Sequence, residues 1–425
     1  MTTKPNLVAE TRIECGVGRG GDILPVDIAS TKAARAAVPV ERTQLVALRD
    51  AHGRILAEPV SSRVNVPPFN NSAMDGYAVN ASAFAQRGPW QLDVSDRLVA
   101  GDISSKRIAI GQAARIMTGA PMPEGTDTVI MQEACTRKGD TILISDKPTR
   151  GRHVRISGED VRKGTRLLDV GATLSPAKQA LLAASGLDRV TVYDRVRIGL
   201  ISTGSELIEP GETLRPGKIF NSNRYYLLSR LNRPWIEIVD YGMVHDDTSA
   251  IRALVRKAAQ NCDILISTGG VSAGEEDHML DVLGKENAAL DVLKVAMRPG
   301  KPVTVGRLDK TLYLGLPGNP YAAAVTFEKI GWPAILVTGG IAANTPDSIH
   351  AVCGFDLDRK SGRTEYVPVT WSELDKFGRP IVKRLGKGSS ASLTPLANAR
   401  GFGILLPDRS RIRKGDEIRV DLIEQ

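Results

Sequence analysis

The chain has 425 residues, of which 42% are apolar and 24% charged, and its net charge is +8; this is the size and composition of a globular protein with about three or four domains. No apolar run reaches the ~18 residues of a membrane span, and residues 1–10 lack the apolar core of a signal peptide, so we expect a cytoplasmic protein that does not bind a membrane. Aromatic residues are too scarce for base stacking, so we do not expect nucleic-acid binding. The four cysteines form no CxxC pair and the five histidines form no HExxH motif, which argues against a disulfide framework and against a zinc site.

Residues 1–27 are predicted to form an irregular tail. Within them, the sequence GVGRGG at residues 16–21 formally matches the GxGxxG pattern of dinucleotide-binding loops. No strand clearly precedes it and Pro25 follows closely, so we interpret it as part of the tail. From residue 28 to residue 58 apolar residues recur at helical spacing, which predicts helix.

A β-rich insert is predicted at residues 61–149, where short alternating apolar runs are broken by Gly and Pro. The pattern returns to helix at residues 150–186. We therefore predict one discontinuous helical domain around the insert, built from residues 28–60 and 150–189.

Strand and helix patterns alternate over residues 190–340, which predicts an α/β domain with a mostly parallel sheet and helices on both faces. Residues 341–425 contain strand patterns without helices, which predicts a small β barrel or sandwich. The expected fold class is thus multidomain: a central α/β domain, the discontinuous helical domain, the β-rich insert and a barrel-like C-terminal β domain.

Three Gly-rich loops follow predicted strands of the α/β domain, at residues 202–207, 267–277 and 316–320. Glycine lets backbone N–H groups approach an anion, and the helix after each loop adds partial positive charge. Because such loops meet at the carboxyl edge of a parallel sheet, together they favour a phosphate or oxyanion site over ordinary turns. No GxxxxGK[ST] motif is present, so the site is not a P-loop. The residues predicted to bind the anion here are Ser202, Thr203, Gly204, Gly269, Gly270, Ser272, Pro317, Gly318 and Asn319.

Acidic residues lie among these loops, at Glu206, Asp246, Asp247 and Asp277. Carboxylates beside a phosphate site repel it unless a cation lies between them, and Mg²⁺ is the usual cation. We predict Glu206, Asp247 and Asp277 as metal ligands. The alternative for Asp247 and for Asp277 is that each caps a helix.

Two cations, Arg298 and Lys301, are held in a turn by Pro299, Gly300 and Pro302. Arginine offers a planar fork to an oxyanion and lysine a point charge. The rigid turn favours a binding role for both over simple solvation.

Two further segments in the insert are dense in small polar residues: PPFNNSAMDGYAV at 67–79 and MTGAPMPEG at 117–125. With STGGVSAGEED at 267–277 and LPGNP at 316–320, in this order, they resemble the MoeA/gephyrin family of molybdopterin molybdenumtransferases. The resemblance runs from about Ala29 to the C-terminus and so covers the chain except for the tail.

The resemblance implies an enzyme that inserts molybdenum from molybdate into adenylyl-molybdopterin, with Mg²⁺ and with release of AMP. It also implies an elongated homodimer whose active site lies between the α/β domain of one subunit and the insert and C-terminal parts of the other. The catalytic positions of the family fall on Asp75, Thr118, Glu206 and Asp277, and its anion-binding region falls on Arg298, Lys301 and residues 317–320. Two C-terminal residues, Arg363 and Ser389, align loosely near the site.

Two positions depart from the common pattern of the family. Asn70 replaces an aspartate that many members carry, and Ala322 replaces a serine associated with molybdate. Without that hydroxyl, Thr304, Tyr321 or a water has to complete the oxyanion shell, or affinity falls. The alternatives that these departures leave open are a catalytically weak molybdopterin-binding paralogue or scaffold, and a tungstate-inserting enzyme. An adenylyltransferase is disfavoured by the long insert.

Overall fold

The computed structural model describes residues 23–245, 247–269, 278–341 and 347–423. The chain divides into two compact units, which are described separately. The larger unit comprises residues 1–44, 53–55 and 193–425, and the smaller unit comprises residues 45–52 and 56–192. Among the described residues, none of the helices combines the length and the apolar composition of a membrane crossing.

The chain begins with a short helix and continues with short strands through the smaller unit. A 3-10 turn at residues 48–50 follows the first strand. In chain order the elements are α1 (Val26–Ala36), β1 (Thr43–Ala47), β2 (Val60–Ser61), β3 (Asn71–Ser72), β4 (Gly76–Val79), β5 (Trp90–Leu98), β6 (Gln112–Ile116), β7 (Thr128–Met131), β8 (Cys135–Lys138), β9 (Thr141–Ile144), β10 (Val154–Arg155), β11 (Arg166–Leu168), α2 (Pro176–Ala184) and β12 (Arg189–Tyr193).

The prediction of continuous helix over residues 28–58 is wrong. The helix α1 ends at Ala36, and Ala37 already has an extended backbone. Pro39 explains the stop, because proline disfavours helical backbone in the residue before it. Apolar spacing alone did not separate the short strand β1 from a helix, since both carry apolar residues a few positions apart.

The first predicted helical segment is divided between the two units, whereas the second belongs to the smaller unit. Helix α1 packs against a helix of the larger unit, and its Ala29 and Ala33 belong to the core of that unit. In the smaller unit, Leu48 and Leu56 from the first segment meet Leu182 of α2 from the second segment in one apolar cluster. Helix α2 is the one α-helix among the described residues of that unit. The part of the unit that comes from the first predicted segment contains the end of β1 and a 3-10 turn, so that part is mixed rather than helical. The predicted domain boundaries stay predictions.

The insert is a six-stranded sheet in the order β7-β4-β6-β5-β9-β8. Its strands pair antiparallel except for β5 with β6. Apolar side chains cover both faces: Tyr77 and Val79 point to one core cluster, whereas Ala78 points to another. This alternation is what successive residues of a strand produce.

The larger unit contains an α/β domain, as predicted. Its elements in chain order are β13 (Val196–Thr203), β14 (Leu207–Ile208), β15 (Ile219–Phe220), α3 (Ser222–Leu231), β16 (Ile236–Val244), α4 (Thr248–Asn261), β17 (Ile264–Thr268), α5 (His278–Lys285), β18 (Ala289–Lys294), β19 (Met297–Arg298), β20 (Pro302–Leu308), β21 (Thr311–Leu316), α6 (Pro320–Thr326), a π-helical turn (Phe327–Gly331) and α7 (Trp332–Thr338).

Six of these strands form one sheet in the order β16-β13-β17-β21-β20-β18. The first four run parallel, and β20 and β18 are antiparallel to their neighbours. Apolar runs such as Ile264–Thr268 are buried over their whole length, which is typical of strands covered on both faces. The mostly parallel sheet places the loops after β13, β17 and β21 at one edge.

The C-terminal region contains β22 (Ser348–Cys353), β23 (Leu357–Asp358), β24 (Thr364–Leu374), β25 (Pro380–Arg384), β26 (Gly401–Leu405), β27 (Arg411–Ile412) and β28 (Glu417–Leu422), with the single turn α8 (Thr394–Ala397) before β26. Strands β23 and β27 form a two-stranded sheet, and the other five close into a barrel-like sheet, as predicted. The order β24-β25-β22-β28-β26 closes because β26 also pairs with β24. Strand β19 of the α/β domain adds to this sheet in parallel with β24.

Candidate functional site

A cavity of about 740 Å³ opens in the larger unit at the carboxyl edge of the α/β sheet. The strands β13, β17 and β21 are parallel neighbours, so the loops that follow them meet there. The barrel-like domain completes the wall with Arg363 and residues 388–390. The predicted site residues that line this cavity are Glu206, Gly269, Arg298, Lys301, Pro317, Gly318, Asn319, Arg363 and Ser389.

The loop after β17 requires glycine at its first position. Gly269 has a φ of +85°, and a Cβ there would lie 2.5 Å from the carbonyl oxygen of Thr203. The Gly269 N–H donates to Leu316 O at 3.1 Å and ties this loop to the end of β21. Gly269 therefore brings two strand ends together, and its own N–H is not offered to a ligand.

Ser202 and Thr203 do not line the cavity. Both are buried at the end of β13. The hydroxyl of Thr268 donates to Ser202 Oγ at 3.2 Å, and the hydroxyl of Thr203 donates to Thr268 O at 3.5 Å. The Ser202 hydroxyl accepts and the Thr203 hydroxyl donates, so both join neighbouring strands inside the sheet rather than a ligand in the cavity.

The carboxylate of Glu206 folds back over Gly204. The space that a Cβ of Gly204 would take lies 2.6 Å from one oxygen of this carboxylate, so glycine allows the fold-back. Glu206 lines the cavity, and within the described ranges its carboxylate has no ion-pair partner. It is thus free to hold a cation.

Arg298 and Lys301 stand on the turn between β19 and β20. The turn requires Gly300, because its φ is +96° and a Cβ there would clash with the hydroxyl of Thr326. The Arg298 side chain is 57% exposed and its Nε lies 3.9 Å from Glu365 Oε1. Both cations line the cavity.

The loop after β21 meets the barrel at the N-terminus of α6. Asn223 donates its side-chain N–H to Gly318 O at 2.7 Å, which fixes the loop. The N–H groups of Tyr321 and Ala322 donate to Ser390 O at 3.0 and 3.4 Å. A carbonyl of the barrel therefore satisfies the first donors of this helix, whereas the Gly318 N–H donates to no described residue.

Sequence reasoning missed part of the cavity wall. Gly388 and Ser390 of the barrel line it beside the predicted Ser389. The sequence GKGSS at 386–390, rich in glycine and serine, was a signal that could have marked this loop. No local sequence pattern indicated that this loop contacts the N-terminus of α6.

The departure at Ala322 falls on the cavity itself. Ala322 lines it, so a serine hydroxyl at this position would face the ligand. Tyr321 does not replace that hydroxyl, because its own donates to Tyr366 O at 2.8 Å. Thr304 is fully buried in β20 and does not line the cavity. Of Thr304, Tyr321 and water, water is therefore the substitute that remains for the missing serine hydroxyl.

In the smaller unit, Asp75 and Thr118 form a hydrogen-bonded pair. The backbone N–H and the hydroxyl of Thr118 donate to Asp75 Oδ1 at 2.8 and 2.7 Å. These bonds lower the pKa of the Asp75 carboxyl below its ordinary value, and the bond from the Thr118 backbone N–H is the larger cause. The nearby Asn70 accepts a hydrogen bond from Ser157 N at 2.8 Å, which an aspartate could also accept. Asparagine in place of the aspartate at position 70 therefore preserves this turn.

The predicted metal ligands have different surroundings. The carboxylate of Asp247 accepts from the N–H and the hydroxyl of Ser249 at 2.8 and 2.7 Å and so caps α4, which lowers its pKa. This supports the helix-cap alternative for Asp247. Asp246 and Asp277, together with Gly270 and Ser272, lie outside the described residues. Within the described part of the chain, no group of three His, Cys, Asp or Glu side chains could hold a metal.

Comparison with known proteins places these features in a family. Three family models match successive parts of the chain: the MoeA N-terminal region (domain I and II) at residues 24–186, a probable molybdopterin binding domain at 199–337, and the MoeA C-terminal region (domain IV) at 350–423.

Individual relatives match over nearly the whole chain. The molybdopterin molybdenumtransferase of Haemophilus influenzae is 35% identical over 89% of this chain and 94% of its own length. That of a Nostoc species is 37% identical over 89% of this chain and 88% of its own. The crystal structure of the molybdopterin biosynthesis moeA protein from Pyrococcus horikoshii superposes with a TM-score of 0.79 at 30% identity, covering 95% of this chain and 100% of that one. The chain therefore belongs to the MoeA family of molybdopterin molybdenumtransferases.

Proposed function

We propose that the protein is a molybdopterin molybdenumtransferase, which inserts molybdenum from molybdate into adenylyl-molybdopterin and releases AMP. One observation carries this proposal: Arg298, Lys301 and the Gly318 loop line a single cavity of about 740 Å³. That volume is within the range of pockets that enclose a small organic ligand. Relatives with the same name align along nearly the full chain, which supports the assignment.

The cavity suits an oxyanion beside a phosphorylated ligand. Molybdate is a dianion, and removing it from water without partners of opposite charge is very costly. Arg298 offers a planar donor pair and Lys301 a compact charge. The Gly318 backbone, which carries no side chain, allows close approach from the facing wall. The residues thus compensate the charge that both substrates bring.

The reaction itself needs positioning more than covalent catalysis. Two dithiolene sulfurs form bonds to molybdenum, and the oxo ligands that they replace leave as water after protonation. Hydrolysis of the phosphoanhydride consumes one water and yields AMP. Holding molybdate next to the dithiolene makes the first step effectively unimolecular, and fixed cations stabilise charge in the second.

We extend the proposal to Mg²⁺, with Glu206 as the described ligand and Asp277 as the second. The free carboxylate of Glu206 at the cavity fits a hard cation. Mg²⁺ commonly binds one or two carboxylates together with substrate phosphates, and it would neutralise the phosphoanhydride there. Asp247 is left out of the ligand set, because Ser249 already uses its carboxylate.

We further propose that the protein is a cytoplasmic homodimer. Closed two-fold symmetry is the commonest arrangement of soluble oligomers, and the family resemblance points to it. Sedimentation of the purified protein at micromolar concentration tests the dimer. A monomer with full activity would contradict it.

The test of the activity is reconstitution. We expect purified protein incubated with adenylyl-molybdopterin, Mg²⁺ and molybdate to release AMP and to form the molybdenum cofactor, and the reaction to stop when molybdate is omitted. Tungstate in a parallel reaction measures metal preference. Arg411→Ala, at an exposed arginine of the barrel, is the control for loss of positive charge.

A second candidate is a molybdopterin-binding paralogue that delivers or scaffolds the ligand. The observation that favours it is Ala322, where the serine hydroxyl associated with molybdate is missing from the cavity. Neither Thr304 nor Tyr321 replaces that hydroxyl. Tight binding of adenylyl-molybdopterin with no AMP release at any molybdate concentration would support the scaffold. Turnover in the reconstituted reaction would exclude it.

A further inference from the structure

A second cavity, of about 290 Å³, lies at the opposite edge of the same sheet. The parallel strands β13 and β17 begin at Val196 and Ile264, so residues just before them lie at the amino edge, away from the Gly-rich loops. The side chains that dominate its wall are those of Arg42, Arg54, Arg195, Arg197, Asp194 and Glu237.

Two of the four arginines are already paired. Arg42 donates from both terminal nitrogens to Asp263 at 3.0 and 2.9 Å and also lies 3.7 Å from Asp194. The Nε of Arg197 lies 3.5 Å from a Glu237 oxygen. The three carboxylates near the cavity are therefore shared between Arg42 and Arg197.

The other two arginines, Arg54 and Arg195, form no ion pair with any described residue. Arg54 is only 5% exposed, yet among the described residues its side chain donates one hydrogen bond, from Nη2 to Tyr193 O at 2.8 Å, and its buried Nε has no partner. Burial, and then the positive charge of Arg195, lower the pKa of Arg54 more than the negative charge of Asp194 raises it. A buried guanidinium without an anion is unfavourable, since arginine remains protonated in proteins.

We propose that this cavity is a second anion site, which binds a phosphate-type oxyanion between Arg54 and Arg195. Planar guanidinium groups match the oxygen geometry of phosphate and donate two bonds each. The anion supplies the counter-charge that Arg54 lacks, and the cavity leaves room for a group larger than phosphate alone. The shared chemistry fits free phosphate and a phosphomonoester equally. This site is independent of the molybdate cavity, because none of its residues lines that cavity.

The experiment measures inorganic phosphate binding by equilibrium dialysis at constant ionic strength, in full-length protein carrying Arg298→Ala. That background weakens oxyanion binding in the first cavity. We expect about one phosphate per chain to remain bound. Adding Arg195→Gln, at an exposed position, weakens this binding at least about tenfold, because a hydrogen bond to a charged group is lost. Adding Arg411→Gln, the matched control outside the cavity, leaves it unchanged.

Arg54→Lys provides a second variant, which keeps the charge but removes the planar fork. It also weakens phosphate binding, with folding checked by circular dichroism. Ribose 5-phosphate added to the dialysis separates the two sources: stronger competition than with unlabelled phosphate identifies a phosphomonoester, and weaker competition identifies free phosphate. The proposal is overturned if no phosphate binds in the Arg298→Ala background, or if Arg195→Gln binds it as well as Arg411→Gln does.

Discussion

Arg298 and Glu365 are register partners in the parallel pair of β19 and β24, and Glu365 Oε1 lies 3.9 Å from Arg298 Nε. Glu365 is almost fully buried, and its other oxygen accepts from Arg359 Nε at 3.0 Å. A carboxylate of the barrel thus stands between a buried arginine and a cavity arginine. The barrel thereby determines where one cation of the candidate active site lies.

Glu365→Gln should destabilise the protein and also impair molybdate use. Removing one charge of a buried pair leaves Arg359 uncompensated, which costs about 3–5 kcal/mol of unfolding free energy. Arg298 also loses its tether, so the apparent KM for molybdate rises. Urea denaturation and steady-state kinetics measure the two effects. Glu373→Gln, on the exposed part of the same strand, is the matched control, and equal behaviour of both variants would remove Glu365 from the argument.

Arg298→Ala should abolish detectable molybdate binding. Of the described arginines and lysines in the cavity wall, the dianion then keeps Lys301 and Arg363, which no longer compensate its desolvation. Calorimetric titration of molybdate into wild type, Arg298→Ala and the control Arg411→Ala checks this. Wild-type affinity in Arg298→Ala would mean that molybdate binds elsewhere.

Ala322→Ser should raise molybdate affinity. Because Ala322 lines the cavity, the new hydroxyl can donate to the oxyanion. A hydrogen bond to a charged group contributes about 1.5–3 kcal/mol, or roughly 10- to 150-fold in Kd. Ala322→Val adds volume without a donor and should weaken binding. Titration of both variants decides the question, and equal gains in both would show that volume rather than the hydroxyl matters.

Thr118→Val should raise the pKa of Asp75 towards its ordinary value, because one of the two Thr118 donors is removed. The folded pKa is lowered, so the stabilisation by this pair is present above the ordinary carboxyl pKa of about 3.9 and is lost as pH falls through the folded value. Carboxyl carbon chemical shifts of Asp75, followed by NMR against pH, measure it. Thr136→Val, at an exposed threonine of β8, should leave the titration of Asp75 unchanged. An Asp75 titration that does not move in Thr118→Val would contradict this assignment.

Carboxylate-to-amide changes separate the metal ligand from the helix cap. Glu206→Gln should raise the Mg²⁺ concentration needed for AMP release, because an amide is a poorer ligand for a hard cation. Asp247→Asn should leave the requirement unchanged, since asparagine caps helices as well as aspartate does. Asp277→Asn should behave like Glu206→Gln. If instead Asp247→Asn raises the requirement as much as Glu206→Gln, Asp247 belongs to the metal site after all.

Features that depend on local chemistry could be predicted from the amino-acid sequence. Buried strands such as Ile264–Thr268 were recognisable as continuous apolar runs between turn residues. Gly269 was predicted in an anion-binding loop and Gly300 in a tight turn, and both have a positive φ that side chains disfavour. Parallel order then placed the loops at one edge without further information. Helix limits were less certain, since Pro39 ended α1 well before the apolar spacing did.

The hydrogen-bond or ion-pair partner of each polar group depends on tertiary packing and could not be predicted from the sequence. Ser202 and Thr203 looked like ligand donors, but neighbouring strands take their hydroxyls. Ser390 O reaches the first N–H groups of α6, and Glu365 reaches Arg298, across long separations in the chain. A hydroxyl, carbonyl or carboxylate carries the same bonding capacity wherever it stands, and the partner it meets depends on packing between distant segments. That is why the sequence predicted the loops that line the cavity but not the contacts of Ser390 and Glu365 that shape it.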